Sequence, residues 1–291
     1  MNMFKIIVTI IGSIVGAATT IIILIVLQQD VANLFGVSST SPSNLSILKD
    51  LLTPLAASFG GAIAGALAAF KLQNDKEELK RKEDEINALN NSLLALESQL
   101  NHLSAIKKQT ILVVAEKPLR FMEIRPIASI EHVAERIDLR MVSGLARLKE
   151  VELIQESRLA ERRYINVINT LKLRDSIIVQ LHNLTAKAGI NTFDSSSLTL
   201  IYKIVGPNDL AIAYETTEEY IKLLDDALLS IKNAMTRINS IFDVHYKDTG
   251  YGKLKIDFPK ETDKVLGKTP APIIKSVQDL FEKAGHKVQD H

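Results

Sequence analysis

The sequence predicts an all-α protein built from a two-span transmembrane helical hairpin, a coiled-coil stalk and a cytoplasmic helical bundle. Three observations carry that expectation. The first 72 residues hold only five acidic or basic side chains, Lys5, Asp30, Lys49, Asp50 and Lys71, whereas a soluble domain needs charge over its whole surface. Glycine and proline are sparse after residue 70, which favours helix. From Leu72 onward apolar residues recur every seven positions, the repeat of a helical seam.

The element boundaries follow in chain order: a first transmembrane helix with a short cytoplasmic N-terminus over 1–27, an extracytoplasmic loop over 28–50, and a second transmembrane helix over 51–72. A coiled-coil stalk over 73–110 and a cytoplasmic helical bundle over 111–291 complete the chain.

Residues 6–27 form a run of 22 without a charge. At ~1.5 Å per residue that length matches the ~30 Å hydrocarbon core of a bilayer. The alternative, a cleaved signal peptide, calls for an apolar region of only about 7–15 residues. The second candidate span, 51–70, is rich in alanine and glycine and so inserts less strongly; its alternative is a buried helix of a soluble domain. Lys71, Lys76, Lys80, Arg81 and Lys82 follow this span, while the intervening loop offers only Lys49. The positive-inside rule then puts both termini in the cytoplasm, as in a bacterial inner-membrane protein.

Within the second span, Ala57, Gly61, Gly65 and Ala69 stand four apart, and Gly12 and Gly16 repeat the spacing in the first. Residues four apart share a helix face, and small side chains let helices approach closely. These six residues are therefore the expected helix-packing face. A phosphate loop is excluded, because GGAIAG is neither G-x-G-x-x-G nor followed by GK[ST].

Thr53 and Pro54 suit a helix start, so one helix is expected from Pro54 to about Ser104. Its seam comprises Leu72, Leu79, Ile86, Leu93 and Leu100 at one heptad position and Leu89, Leu96 and Leu103 at the other. Asp75 and Lys82 occupy the earlier positions of the second set. The alternative to a coiled coil is an amphipathic helix packed on its own domain.

Pro118 and Pro126 end the stalk. Helical periodicity then runs from Ile127 to about Ala188, with Ser143 and Gly144 as a kink or division and Gly189 as a terminating glycine. The stretch SSSLTLIYKIV reads as a short helix, and a long helix is expected from Pro207 to Tyr246. A loop follows, then an amphipathic helix over about Pro272–Ala284. Such a succession favours a helical bundle over an α/β enzyme.

No chemistry is nominated: the expectation is no catalytic, cofactor or metal residue, and no enzyme. The chain has no cysteine, none of its six histidines sits in H-E-x-x-H, and no nucleophile-elbow, P-loop or kinase motif occurs. Nine of the eleven arginines fall between Arg120 and Arg174. If this region were one helix, Arg136, Arg140, Arg147 and Arg158 would lie within about 40° of one another, making a candidate anion-binding stripe. Residues 111–190 carry 13 basic and 10 acidic side chains, which favours a solvated or salt-bridged face instead. Nucleic acid is disfavoured for want of interleaved aromatics. The expected partners are the lipid bilayer, further copies of the chain through spans and stalk, and a cytoplasmic protein. The function expected is a membrane-anchored oligomeric scaffold or sensor. The alternative is a two-span effector, toxin-like or antiviral, whose spans assemble to perturb the membrane.

Overall fold

The computed structural model describes residues 42–127, 135–190, 192–247, 250–259 and 262–285, with side chains described from Ser58 onward. Among them every regular element is helical and none is a strand. The helices are α1 (Pro42–Ile106), α2 (Arg120–Glu123), α3 (Arg140–Arg147), α4 (Val151–Lys187), α5 (Leu198–Val205), α6 (Pro207–His245), α7 (Asp263–Leu266) and α8 (Val277–Lys283). A π-helical turn over Lys107–Ile111 follows α1.

Contacts divide the chain into two units, 1–76 and 77–291. Among the described residues no helix is long and apolar enough to cross a membrane. This overturns the expected localisation as a two-span integral membrane protein with both termini cytoplasmic, on which the bilayer as a partner also rested. The uncharged run of α1 before Lys71 is dominated by alanine and glycine, which contribute little to insertion. The expected first span, with Gly12 and Gly16, lies outside the described residues, as does the side chain of Ala57. Helix α1 starts at Pro42 rather than at Thr53, with a proline again in the first helical position, so 42–50 is helix and not loop.

In the second unit, the antiparallel pair α4 and α6 is the spine. The buried residues of α4 are Leu153, Ser157, Ala160, Tyr164, Val167, Leu171, Arg174, Ile178, Leu181 and Thr185, together with Ile168. Their alternating steps of four and three keep one stripe of a helix turned inward. Cross-links fix the antiparallel sense: Arg237 pairs with Glu156 at 2.8 Å, Arg163 reaches the Asp226 carbonyl at 3.4 Å, and Arg174 reaches Thr217.

Two apolar cores flank this spine. One half buries the end of α1, where Ile86, Leu89, Leu93, Leu96, Leu100 and Leu103 pack with Tyr164, Val167, Leu224 and Ile231. The other half gathers Phe121, Met122, Ile178, Leu181, Ile201, Leu210, Tyr214 and Leu280. From Ile86 onward the heptad seam is thus filled by the chain's own helices, the alternative to a coiled coil. Its earlier members, Leu72 and Leu79, are exposed.

The periodicity from Ile127 to Ala188 is not one helix. Residues 135–138 have no regular secondary structure and run beside α1: Gln99 Nε2 donates to the Glu135 carbonyl at 2.9 Å, and Asp138 N donates to Ser92 Oγ at 3.0 Å. Helix α3 then ends four residues after Ser143, and Lys149 takes a φ of 64° before α4 begins. Gly189 does end α4, with φ 79°, a backbone that glycine adopts without the Cβ penalty. The last helix is shorter than expected; Ser276 caps it by accepting from Asp279 N at 3.1 Å.

Candidate functional site

Three buried cations hold the irregular segments 107–127 and 267–274 against the spine. Lys107, fully buried, donates to the Asp225 carboxylate at 2.6 Å and to the Gly267 carbonyl. Asp225 also accepts from Thr269 N at 2.7 Å and from Thr269 Oγ1 at 3.0 Å. Arg120 grips both carboxylate oxygens of Glu218 with its fork and donates to the carbonyls of Ala115, at 3.1 Å, and Pro270, at 2.6 Å. Arg174, fully buried, donates to Asp175 at 2.7 Å and to the carbonyls of Phe121 and Ile124. Burial draws the Arg174 pKa down, and the Asp175 carboxylate works against that shift.

A cation inside a protein requires such pairing, because desolvation costs several kcal/mol per ion. The chain uses the requirement structurally. Each cation bonds a carboxylate on α4 or α6 and, at the same time, carbonyls of segments that have no ladder of their own. Those backbone groups would otherwise be orphaned.

The result is a rigid rim with open clefts around Lys117. One cleft, of about 900 Å³, includes Lys117, Met122, Arg125, His182 and Phe193 in its walls. There His182 Nε2 stands 2.9 Å from the Met122 carbonyl, and its ring stacks on Phe193 at 4.9 Å. Burial lowers the His182 pKa, the Met122 hydrogen bond opposes this, and the charge of Arg174 adds to the lowering. A second cleft, of about 810 Å³, carries Lys108, Lys117, Lys264 and Lys268. Lys117 itself pairs with Glu123.

The sequence-predicted residues are placed as follows. Gly61, Gly65 and Ala69 are exposed, and a Cβ at Gly60, Gly61 or Gly65 would meet nothing within 4 Å. Arg136, Arg140, Arg147 and Arg158 do not form a stripe. Arg136 lies in the irregular segment 135–138, Arg140 and Arg147 on α3, and Arg158 on α4 beyond the break at Lys149. Arg140 is engaged by Asp138 at 2.7 Å, and its hydrogen bond holds the Asp138 carboxyl below its ordinary range. Arg147 pairs with Glu85, whose carboxylate also accepts from Tyr246 Oη at 3.1 Å. Burial and the Glu85 charge push the Tyr246 phenol up to about 12.

Lys107, Arg120 and Arg174 were not singled out by sequence. A signal for two of them exists. Lys107 continues the heptad line of Ile86, Leu93 and Leu100, and Arg174 sits in the inward stripe of α4. A charged residue at a core position marks a paired, buried ion. For Arg120, close to Pro118, no periodic signal exists.

Among the described residues no three histidine, aspartate or glutamate side chains gather so as to hold a metal ion. No family model, no curated protein and no solved structure matches the chain.

Proposed function

We propose that the protein is a self-associating helical scaffold or sensor, in which copies join through the exposed stretch of α1 from Phe59 to Leu72 and the helical bundle binds a protein partner. The observation that carries the reading is the exposure of that stretch among the described residues. Phe59 is 55% exposed and Leu72 58%, and the glycines between them face open space. Helices in water draw most of their stability from tertiary packing of an apolar face, so a helix whose described apolar side chains are mostly exposed calls for a partner.

A second copy of the chain suits this stretch better than an unrelated protein. Gly61 and Gly65 let two like helices approach closely. The following residues alternate in sign, with Asp75, Glu77 and Glu78 near Lys76, Lys80 and Arg81, so two copies can meet without net repulsion. Isologous pairing of one patch with itself is also the commonest route to an oligomer.

Sedimentation velocity on the full chain at micromolar concentration tests the reading. The expected result is a dimer or higher oligomer that Leu67→Lys with Leu72→Lys converts to monomer. A wild-type chain that sediments as a monomer overturns it.

A further inference from the structure

The cleft carrying Lys108, Lys117, Lys264 and Lys268 has two walls, 108–117 and 264–270, and both are fastened to α6. Lys107 precedes the first wall directly and bonds Gly267 in the second, while Asp225 of α6 holds Thr269. Arg120 ties Ala115 of the first wall to Pro270 of the second, and Glu218 of α6 holds Arg120. The cleft is thus set by two buried ion pairs rather than by loop chance. Preorganised walls reduce the ordering cost of binding.

The lining is strongly one-signed. Among the described lining residues four lysines face a single carboxylate, Glu116, and of the four only Lys117 pairs with a described acid, Glu123. Lys108, Lys264 and Lys268 are exposed and form no ion pair with a described carboxylate. Beside them stands an apolar patch in which Val113 is 69% exposed. The volume, about 810 Å³, falls within the range of small-molecule sites.

We propose that this cleft binds a small molecule carrying two or more phosphate groups on an apolar or heterocyclic body. Three free ammonium groups match a charge of about −3 or −4 and supply only donors, as phosphate oxygens require. Val113 and the adjoining apolar wall would receive the uncharged body. A monophosphate leaves at least one ammonium without a counter-charge. The site gives the sensor half of the proposed function its ligand class, but it does not depend on self-association.

Isothermal titration calorimetry with the full chain in EDTA tests this, using inorganic triphosphate, ATP and AMP as probes. Triphosphate and ATP are expected to bind and AMP to bind at least tenfold more weakly. Lys264→Gln with Lys268→Gln should weaken ATP binding by about tenfold or more, on the scale of charge-assisted hydrogen bonds. Lys222→Gln, on exposed α6 surface, should leave it unchanged. Because all these lysines are exposed, unchanged circular dichroism and melting are expected in each variant. If the loss occurs equally in Lys222→Gln, or if neither triphosphate nor ATP binds the wild type, the proposal is overturned. A 20-nucleotide RNA that binds where neither small molecule does overturns it as well. Repeating the titration on the Leu67→Lys, Leu72→Lys chain separates the two readings: retained binding in a monomer is expected, so either can fail without the other.

Discussion

Replacing Arg174 by methionine removes one side chain that bonds four separate groups, Thr217, Asp175 and the carbonyls of Phe121 and Ile124. Methionine keeps an unbranched apolar stem of similar reach but offers no donor. The carbonyls of Phe121 and Ile124 then lose a partner inside the protein, and Asp175 loses the Arg174 cation while still accepting from Ile127 N at 2.8 Å. Each orphaned buried group costs about 1–3 kcal/mol, and severing one partner of a buried ion pair costs about 3–5 kcal/mol in total. Added apolar burial by the methionine offsets about 1 kcal/mol. The net expectation is a loss of about 3–4 kcal/mol. For a folded unit of roughly 200 residues, at ~2–4 °C per kcal/mol, the melting temperature should fall by roughly 6–16 °C. Urea unfolding followed by circular dichroism measures the free energy directly, with the m value unchanged. A loss below about 1 kcal/mol would refute the claim that Arg174 pins the 121–124 segment to the spine.

Four further outcomes are expected. Leu93→Ala, inside the core, should cost about 2–5 kcal/mol in the same urea assay, whereas Leu94→Ala, on the exposed side of the same turn, should stay within about 0.5 kcal/mol; equal effects would contradict the packing of α1 on the spine. Tyr220→Phe removes a buried hydroxyl that has no hydrogen-bond partner among the described residues, so stability should hold or rise by up to about 1 kcal/mol, and a clear loss would mean that the hydroxyl is bonded. Burial holds His102 and His182 below the ordinary value of 6.5; the unfolded chain therefore takes up these protons first, and stability present above pH 6.5 declines as the pH falls toward the folded values. His102→Gln with His182→Gln should flatten unfolding free energy between pH 7 and 5, and an unchanged slope would exclude these rings as its source. Ser276→Ala, which removes the cap of α8, should cost about 1 kcal/mol and raise amide exchange in 277–283 before any other segment.

The long helices were legible because periodicity alone specifies them. Pro207 after Gly206, with an inward stripe running to Ile241, defines α6, and the observed helix runs from Pro207 to His245. Gly189 likewise marks the end of α4 through its positive φ. The helical periodicity expected from Ile127, with a kink or division at Ser143 and Gly144, overstates the helix before Val151 because the apolar spacing persists there. What interrupts it is tertiary: Gln99 and Ser92 on α1 supply hydrogen bonds that let 135–138 run beside α1 without regular structure. The heptad seam was read from the right residues, but a repeat cannot say whether the facing helix belongs to the same chain. The localisation failed for a related reason, since low charge over 51–70 reflects alanine and glycine more than strongly apolar side chains. Of the candidate clefts almost nothing was visible, because Lys108 and Lys268 are brought together through Lys107, Asp225 and Thr269 and through Arg120 and Glu218, residues with no shared pattern.

The absence of cysteine from the whole chain makes one measurement decisive for self-association. Single cysteines introduced as Leu72→Cys, at the exposed start of the seam, Leu93→Cys, at its buried part, and Val244→Cys, at the exposed end of α6, are oxidised at micromolar concentration and run on non-reducing gels. A disulfide needs Cα atoms within about 7 Å, so it reports close apposition of two copies at the chosen position. The account predicts a covalent dimer from Leu72→Cys and monomers from the other two. No dimer from Leu72→Cys, or equal dimer from Val244→Cys, contradicts it.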